Sequence, residues 1–145
     1  MRYLIIMSVV LLNYAIACDT ITRQQLQSYY SQWLDGEINN YQYVIQKQCF
    51  CSPDYTKKLI VRVENNKVSD VIDAETEHKV SDKVFEQQRT ISEWYQLSFN
   101  YVDTEFGVLD LEVDNNGVPL SFYIDQHKMR ADDEFTIHIS NIETL

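Results

Sequence analysis

The chain has 145 residues, with 22 Asp and Glu against 12 Lys and Arg and a formal net charge of −10. That balance excludes a nucleic-acid surface, because phosphates are neutralised by Lys and Arg. It offers no electrostatic attraction to an anionic membrane, and three isolated glycines (Gly36, Gly107 and Gly117) leave no loop to cradle a nucleotide.

The chain opens with one charge, Arg2, then the apolar run Leu4 to Leu12, then Ala15-Ile16-Ala17-Cys18. A charged tip, a short apolar stretch and small residues before a cut form the layout of an export signal over residues 1–17. The run falls short of the ~20 apolar residues of a spanning helix. Ala15-x-Ala17 fits a general signal peptidase, and the same residues ending at Cys18 resemble the lipobox of bacterial lipoproteins. Both routes cut before Cys18. Cysteine at that position in a chain with only three favours lipidation of Cys18 over simple secretion. The expected address is therefore the periplasmic side of the cell envelope, held only by the N-terminal lipid. In a Gram-negative host Asp19 resembles the signal for inner-membrane retention.

Residues 18–145 make one ordinary domain with no repeat, linker or low-complexity tract. Thr22 and Gln25 form a capping-box pattern opening a helix from about Arg23 to Leu34, with Leu26, Tyr30, Trp33 and Leu34 on its buried side. Tyr41, Tyr43, Ile45, Cys49 and Cys51 then share one parity of an extended segment. Lys58–Glu64 alternates, Asn65-Asn66 turns, and Lys67–Asp73 follows with Val68 and Ile72 on a common face. Ala74 to Arg89 reads as a long polar connection. Thr90 and Glu93 repeat the capping pattern and open a helix to about Tyr101 that buries Ile91, Trp94, Tyr95 and Val102. Val108–Asp114 points Leu109, Leu111 and Val113 inward. Asn115-Asn116-Gly117 is a hairpin turn. Val118–Asp125 sets Val118, Leu120, Phe122 and Ile124 on one face, and a last strand, about Glu134–Ile142, buries Phe135, Ile137 and Ile139. The fold class is α+β: antiparallel sheet with two helices packed on one face, in the order α-β-β-β-α-β-β-β.

The chemistry-bearing residues are few. Cys49-Phe50-Cys51 is a disulfide or a thiol pair in an oxidising compartment. Side chains at i and i+2 of a strand point the same way but lie too far apart to bond, so a disulfide requires a bend at Phe50, where Ser52-Pro53 already ends the strand. A ring that small would be reducible, which is the redox reading; no His or Lys flanks the pair to lower a thiol pKa. The acids Asp103, Glu105, Asp110, Glu112, Asp114, Asp125, Asp132, Asp133 and Glu134 crowd the C-terminal half. Of these Asp110, Glu112, Asp114, Asp125, Asp132, Asp133 and Glu134 are candidate cation ligands. Asn115 stands where an EF-hand loop needs glycine, so a solvated face is the favoured reading. His78, His127 and His138 have no ligand spacing, and no nucleophile or zinc-protease signature occurs. Tyr29, Tyr30, Trp33, Tyr41 and Tyr43 suit a binding surface or a helix-on-sheet core, and their spacing favours the core.

Trp33, Asn40-Tyr41-x-Tyr43, Cys49-x-Cys51-x-Pro53, Val61-x-Val63 with Val68, Thr90-Ile91, Asp114-x-x-Gly117-x-Pro119, Asp125 and Asp132-Asp133-Glu134 follow one another in the order seen in a family of small exported bacterial proteins. The chain resembles domain of unknown function 6174 from about Trp33 to Ile142, with Val118 where an aromatic is usual. The resemblance implies an exported address and no activity. The expectation is a non-enzymatic binding module without cofactor or metal, whose partner is an envelope protein or small ligand. The alternatives are a thiol–disulfide protein using Cys49 and Cys51, and an acidic inhibitor of a basic extracellular enzyme such as lysozyme.

Overall fold

The computed structural model describes residues 21–102, 104–105 and 107–145; the export segment, Cys18, Asp19 and Asp103 lie outside them. Helix α1 (Arg23–Asp35) starts where the capping pattern places it. Thr22 Oγ1 accepts from the Gln25 backbone N–H at 3.2 Å, and Gln25 Oε1 accepts from the Thr22 N–H at 2.8 Å. Leu26 and Trp33, two turns apart, are buried. Trp33 packs edge-on to Tyr41 with centroids 5.4 Å apart, and its Nε1–H donates to Ser92 Oγ at 3.1 Å. Leu34, expected on the buried side, is 50% exposed. It lies about 100° round the helix from Trp33, beyond the stripe that the sheet covers.

Six strands follow: β1 (Tyr41–Cys49), β2 (Lys58–Glu64), β3 (Lys67–Asp73), β4 (Val108–Val113), β5 (Pro119–Asp125) and β6 (Glu134–Thr144). They form one antiparallel sheet in the order β3-β2-β1-β6-β5-β4, so the first and last strands pair at its centre. Asn65 and Asn66 turn β2 into β3 with φ of 50° and 60°, the left-handed pair that matches strand twist in a two-residue hairpin. A single 3₁₀ turn (Pro53–Tyr55) links β1 to β2.

Helix α2 (Asp82–Phe85) and helix α3 (Ile91–Ser98) fill the connection between β3 and β4. The reading of Ala74–Arg89 as an unbroken connection missed α2, because four residues are too few to show a helical period. Helix α3 has the expected capping box, with Thr90 Oγ1 accepting from the Glu93 N–H at 3.1 Å and Glu93 Oε2 from the Thr90 N–H at 2.7 Å. It stops at Ser98 instead of Tyr101, yet two turn hydrogen bonds to the Ser98 carbonyl bring Val102 into the core. Trp94 and Tyr95 both pack on Phe122, at 6.4 and 5.9 Å. With Trp33 on Tyr41, α1 and α3 therefore share one core face of the sheet.

Two β-bulges overturn parts of the strand reading. Between β2 and β3, Arg62 pairs with Asp70 but Val63 pairs with Val68, so Ser69 is an extra residue. Val68 and Ile72 consequently lie on opposite faces, and Val71 and Asp73 point to the core instead. Between β4 and β5, Glu112 pairs with Ser121 and Val113 with Pro119. Leu120 is the extra residue there and is 45% exposed, not buried with Phe122 and Ile124.

Asp73 closes the core side of β3. Its Oδ1 accepts from the backbone N–H of Glu75 at 2.9 Å and Thr76 at 3.1 Å, and Lys57 Nζ lies 3.7 Å from Oδ2. These backbone donors, then the Lys57 charge, hold its carboxyl below the usual carboxylate value against the cost of burial. A carboxylate with a depressed folded-state pKa stabilises above its unfolded pKa and loses that contribution as pH falls through the folded one. Asp73→Ala is therefore expected to lower the urea midpoint at neutral pH, with the gap to wild type closing below about pH 4.

Candidate functional site

The sheet has a step in it. Strand β6 pairs with β1 from Phe135 to Thr144, but with β5 only from Glu134 to His138. Two features of β5 shorten that second ladder. It begins at Pro119, which has no N–H to donate, and the bulge at Leu120 breaks the pairing rhythm. The backbone of Ile139 to Thr144 thus has β1 on one side and, among the described residues, no strand on the other. Asn141 sits within this stretch at φ 51°, as the extra residue of a bulge that pairs Ser140 with Val44 and Glu143 with Gln42. Its extra twist is a usual guard against uncontrolled edge pairing, so a partner here must fit a bent edge.

Beside the step runs an open groove of about 610 Å³. Ile38, Val118 and Ile142 give it an apolar floor, Leu120 stands at its rim, and Asp114 and Glu143 supply its charge. A second groove of about 470 Å³ continues from Ile38 and Val118 past the end of α1, adding Asp35. A third, about 380 Å³, meets them at Ile38 and adds Glu37 and Glu93. Among the described residues no Lys or Arg lines any of the three. Among the described residues, this end of the molecule joins an apolar surface, an unpaired strand side and grooves whose charged lining residues are all acidic. Such a combination can seat an extended, positively charged peptide segment.

The sequence-predicted candidates are dispersed. Asp110 and Glu112 lie on the open face of β4, opposite Tyr123 and Ser121. Asp114 serves its own turn first, its Oδ1 accepting from the N–H groups of Asn116 and Val118, each at 2.8 Å. Asp125, Asp132, Asp133 and Glu134 are at the far end of β5, roughly 20 Å away at ordinary strand rise. Asp125 Oδ1 caps the next loop through the His127 N–H at 2.9 Å, and Asp133 lies 4.0 Å from Arg130. Among the described residues no three His, Cys, Asp or Glu side chains converge as metal ligands. Of these acids only Asp114 belongs to the groove.

Cys49 and Cys51 form a disulfide at the opposite end of β1, with Phe50 86% exposed at its tip. Lys47 stands two residues before Cys49 on the same strand face, and its ammonium lies 4.6 Å from the ring centroid of Phe135, the cross-strand partner of Cys49. The period-two rule that placed Cys49 would have found it. The groove itself gave no such signal, because a step between strands depends on how long each ladder runs.

The model of the family of unknown function DUF6174 matches residues 25–144. The chain belongs to this family. The DUF6174 match runs from the first turn of α1 to the last residue of β6, so it takes in the groove, the disulfide and the whole sheet. No curated protein and no solved structure matches the chain.

Proposed function

We propose that this DUF6174 protein is a non-enzymatic binding module of the cell envelope, exported by residues 1–17 and tethered by lipid on Cys18. It takes a positively charged, extended segment of another protein along the free side of β6. The observation that carries this reading is the step in the sheet, where Ile139–Thr144 has an unpaired side beside an acidic groove with an apolar floor. Added strands gain affinity from main-chain hydrogen bonds and selectivity from alternate side chains. The surrounding acids speed the encounter and select for Lys and Arg. They also disfavour a second copy of this chain, whose net charge is −10.

A photocrosslinking residue at position 120 is expected to give one dominant adduct in the native envelope, through a Lys- or Arg-rich segment of the captured protein. The same residue at position 69, on the bulge of β3, is the control. Equal adducts from both positions, or crosslinks into acidic segments, would overturn the reading. The tether has its own test: the intact mass from the native host should show residues 18–145 with lipid on Cys18, and an unlipidated mass would make the protein a secreted one.

A further inference from the structure

We propose that the Cys49–Cys51 disulfide is a thiol–disulfide exchange site, at which the protein takes two electrons from a pair of thiols outside it. The bond joins the last residue of β1 to a residue two further on, ahead of the 3₁₀ turn, so it ties no two elements of the fold together. Disulfides stabilise chiefly by closing long loops. A loop of about three residues gives only about a third of the entropic effect of one of about 100. Cys49 is in any case already held by its pairing with Phe135 of β6. As a structural brace the bond does little.

Its position suits attack from outside. Cys51 is exposed and Cys49 half-buried, and the ring of Phe50 between them stands in water. Exposed disulfides exchange with thiols, whereas structural ones resist the glutathione pool. The Phe50 ring gives an incoming protein thiol an apolar contact beside the bond. Among the described residues Cys49 and Cys51 are the only cysteines, so no third thiol there can reshuffle the pair.

The exchange balances without a cofactor. A thiolate of the partner attacks Cys51 Sγ, the more accessible sulfur. The S–S bond breaks, and its electron pair leaves on Cys49 Sγ. The Lys47 ammonium rests on the ring of Phe135, the residue paired with Cys49, and so brings positive charge to the side where that thiolate forms. The partner's second thiolate then attacks the partner's own sulfur in the mixed disulfide and displaces Cys51. The partner's two thiols are oxidised to a disulfide. Cys49 and Cys51 are reduced to thiols and take up the two protons the partner gave. An outside disulfide runs the same steps backwards and restores the pair.

The test uses protein from its native host, with alkylation of Cys49 and Cys51 read by peptide mass so that Cys18 does not enter. The pair should pass from bonded to reduced as the ratio of reduced to oxidised glutathione rises, with far-UV circular dichroism unchanged. Cys49→Ser keeps the accessible sulfur, and should form a mixed disulfide with oxidised glutathione about tenfold or more faster than Cys51→Ser. A reduced peptide with two cysteines separates the sources. Reduction about tenfold or more faster than by glutathione, at equal thiol, marks a protein dithiol as the partner, because its second thiol is already tethered. An equal rate marks a small free thiol. A pair still bonded in a large excess of reduced glutathione, loss of the fold on reduction, or equal trapping by the two variants would overturn the proposal.

Discussion

Gly117→Ala will destabilise the protein by about 3 kcal/mol or more, enough to lower Tm by roughly 10 °C. Two independent effects add at this residue. Its φ of +74° lies in the left-handed region that L side chains rarely adopt. An added Cβ would also stand 2.5 Å from the Tyr29 carbonyl oxygen and 2.7 Å from the Trp33 nitrogen, both backbone atoms of α1. Neither can rotate away, so the helix or the β4–β5 turn must shift. Movement of the turn would in turn break the buried hydrogen bond that the Tyr95 hydroxyl donates to the Gly117 carbonyl at 2.7 Å. Gly36→Ala is the control: its φ is −70° and its nearest contact is 3.3 Å, so urea melts should show a loss under about 1 kcal/mol.

Alkali will unfold the protein cooperatively between about pH 10 and 12. Tyr41, Tyr43 and Tyr95 are all buried in the core, with exposures of 1% or less. Burial pushes the Tyr41 phenol up to about 12, opposed by the Ile91 N–H that donates to it. Burial pushes Tyr43 and Tyr95 up strongly as well. The unfolded chain binds fewer protons than the folded one once pH exceeds about 10, so stability is full below that value and falls above it. Each such tyrosine costs about 1.4 kcal/mol per pH unit, and three together about 4, against a typical domain stability of 5–15 kcal/mol. Phenolate absorbance and far-UV circular dichroism should therefore change together at one midpoint. Phenolate formation complete by pH 11 with the fold intact would contradict the burial argument.

Much of the fold was legible because it is written locally. Thr22 with Gln25, Thr90 with Glu93, and Asn65-Asn66 each state their own geometry, and each element begins or turns where they stand. The errors have one physical origin. Strand parity carries burial along a chain only while pairing stays in register, and an extra residue at Ser69 or Leu120 reverses it without a sequence mark. The second of them also shapes the groove: the bulge that turns Leu120 outside cuts short the pairing of β5. A reading of each strand alone cannot see that β6 outruns its neighbour.

The groove is tested most directly by titrating the isotopically labelled protein with a six-residue peptide amide of alternating Lys and Val, and following backbone amide shifts. Saturable shifts concentrated at Ile139–Thr144 and Val118–Leu120 are expected. They should weaken with added salt and disappear when the peptide backbone is N-methylated on the edge that would pair. The same peptide with Glu in place of Lys should leave these residues unmoved. Shifts spread over the acidic face of β4 as strongly as over β6, or binding indifferent to N-methylation, would contradict strand addition at the step in the sheet.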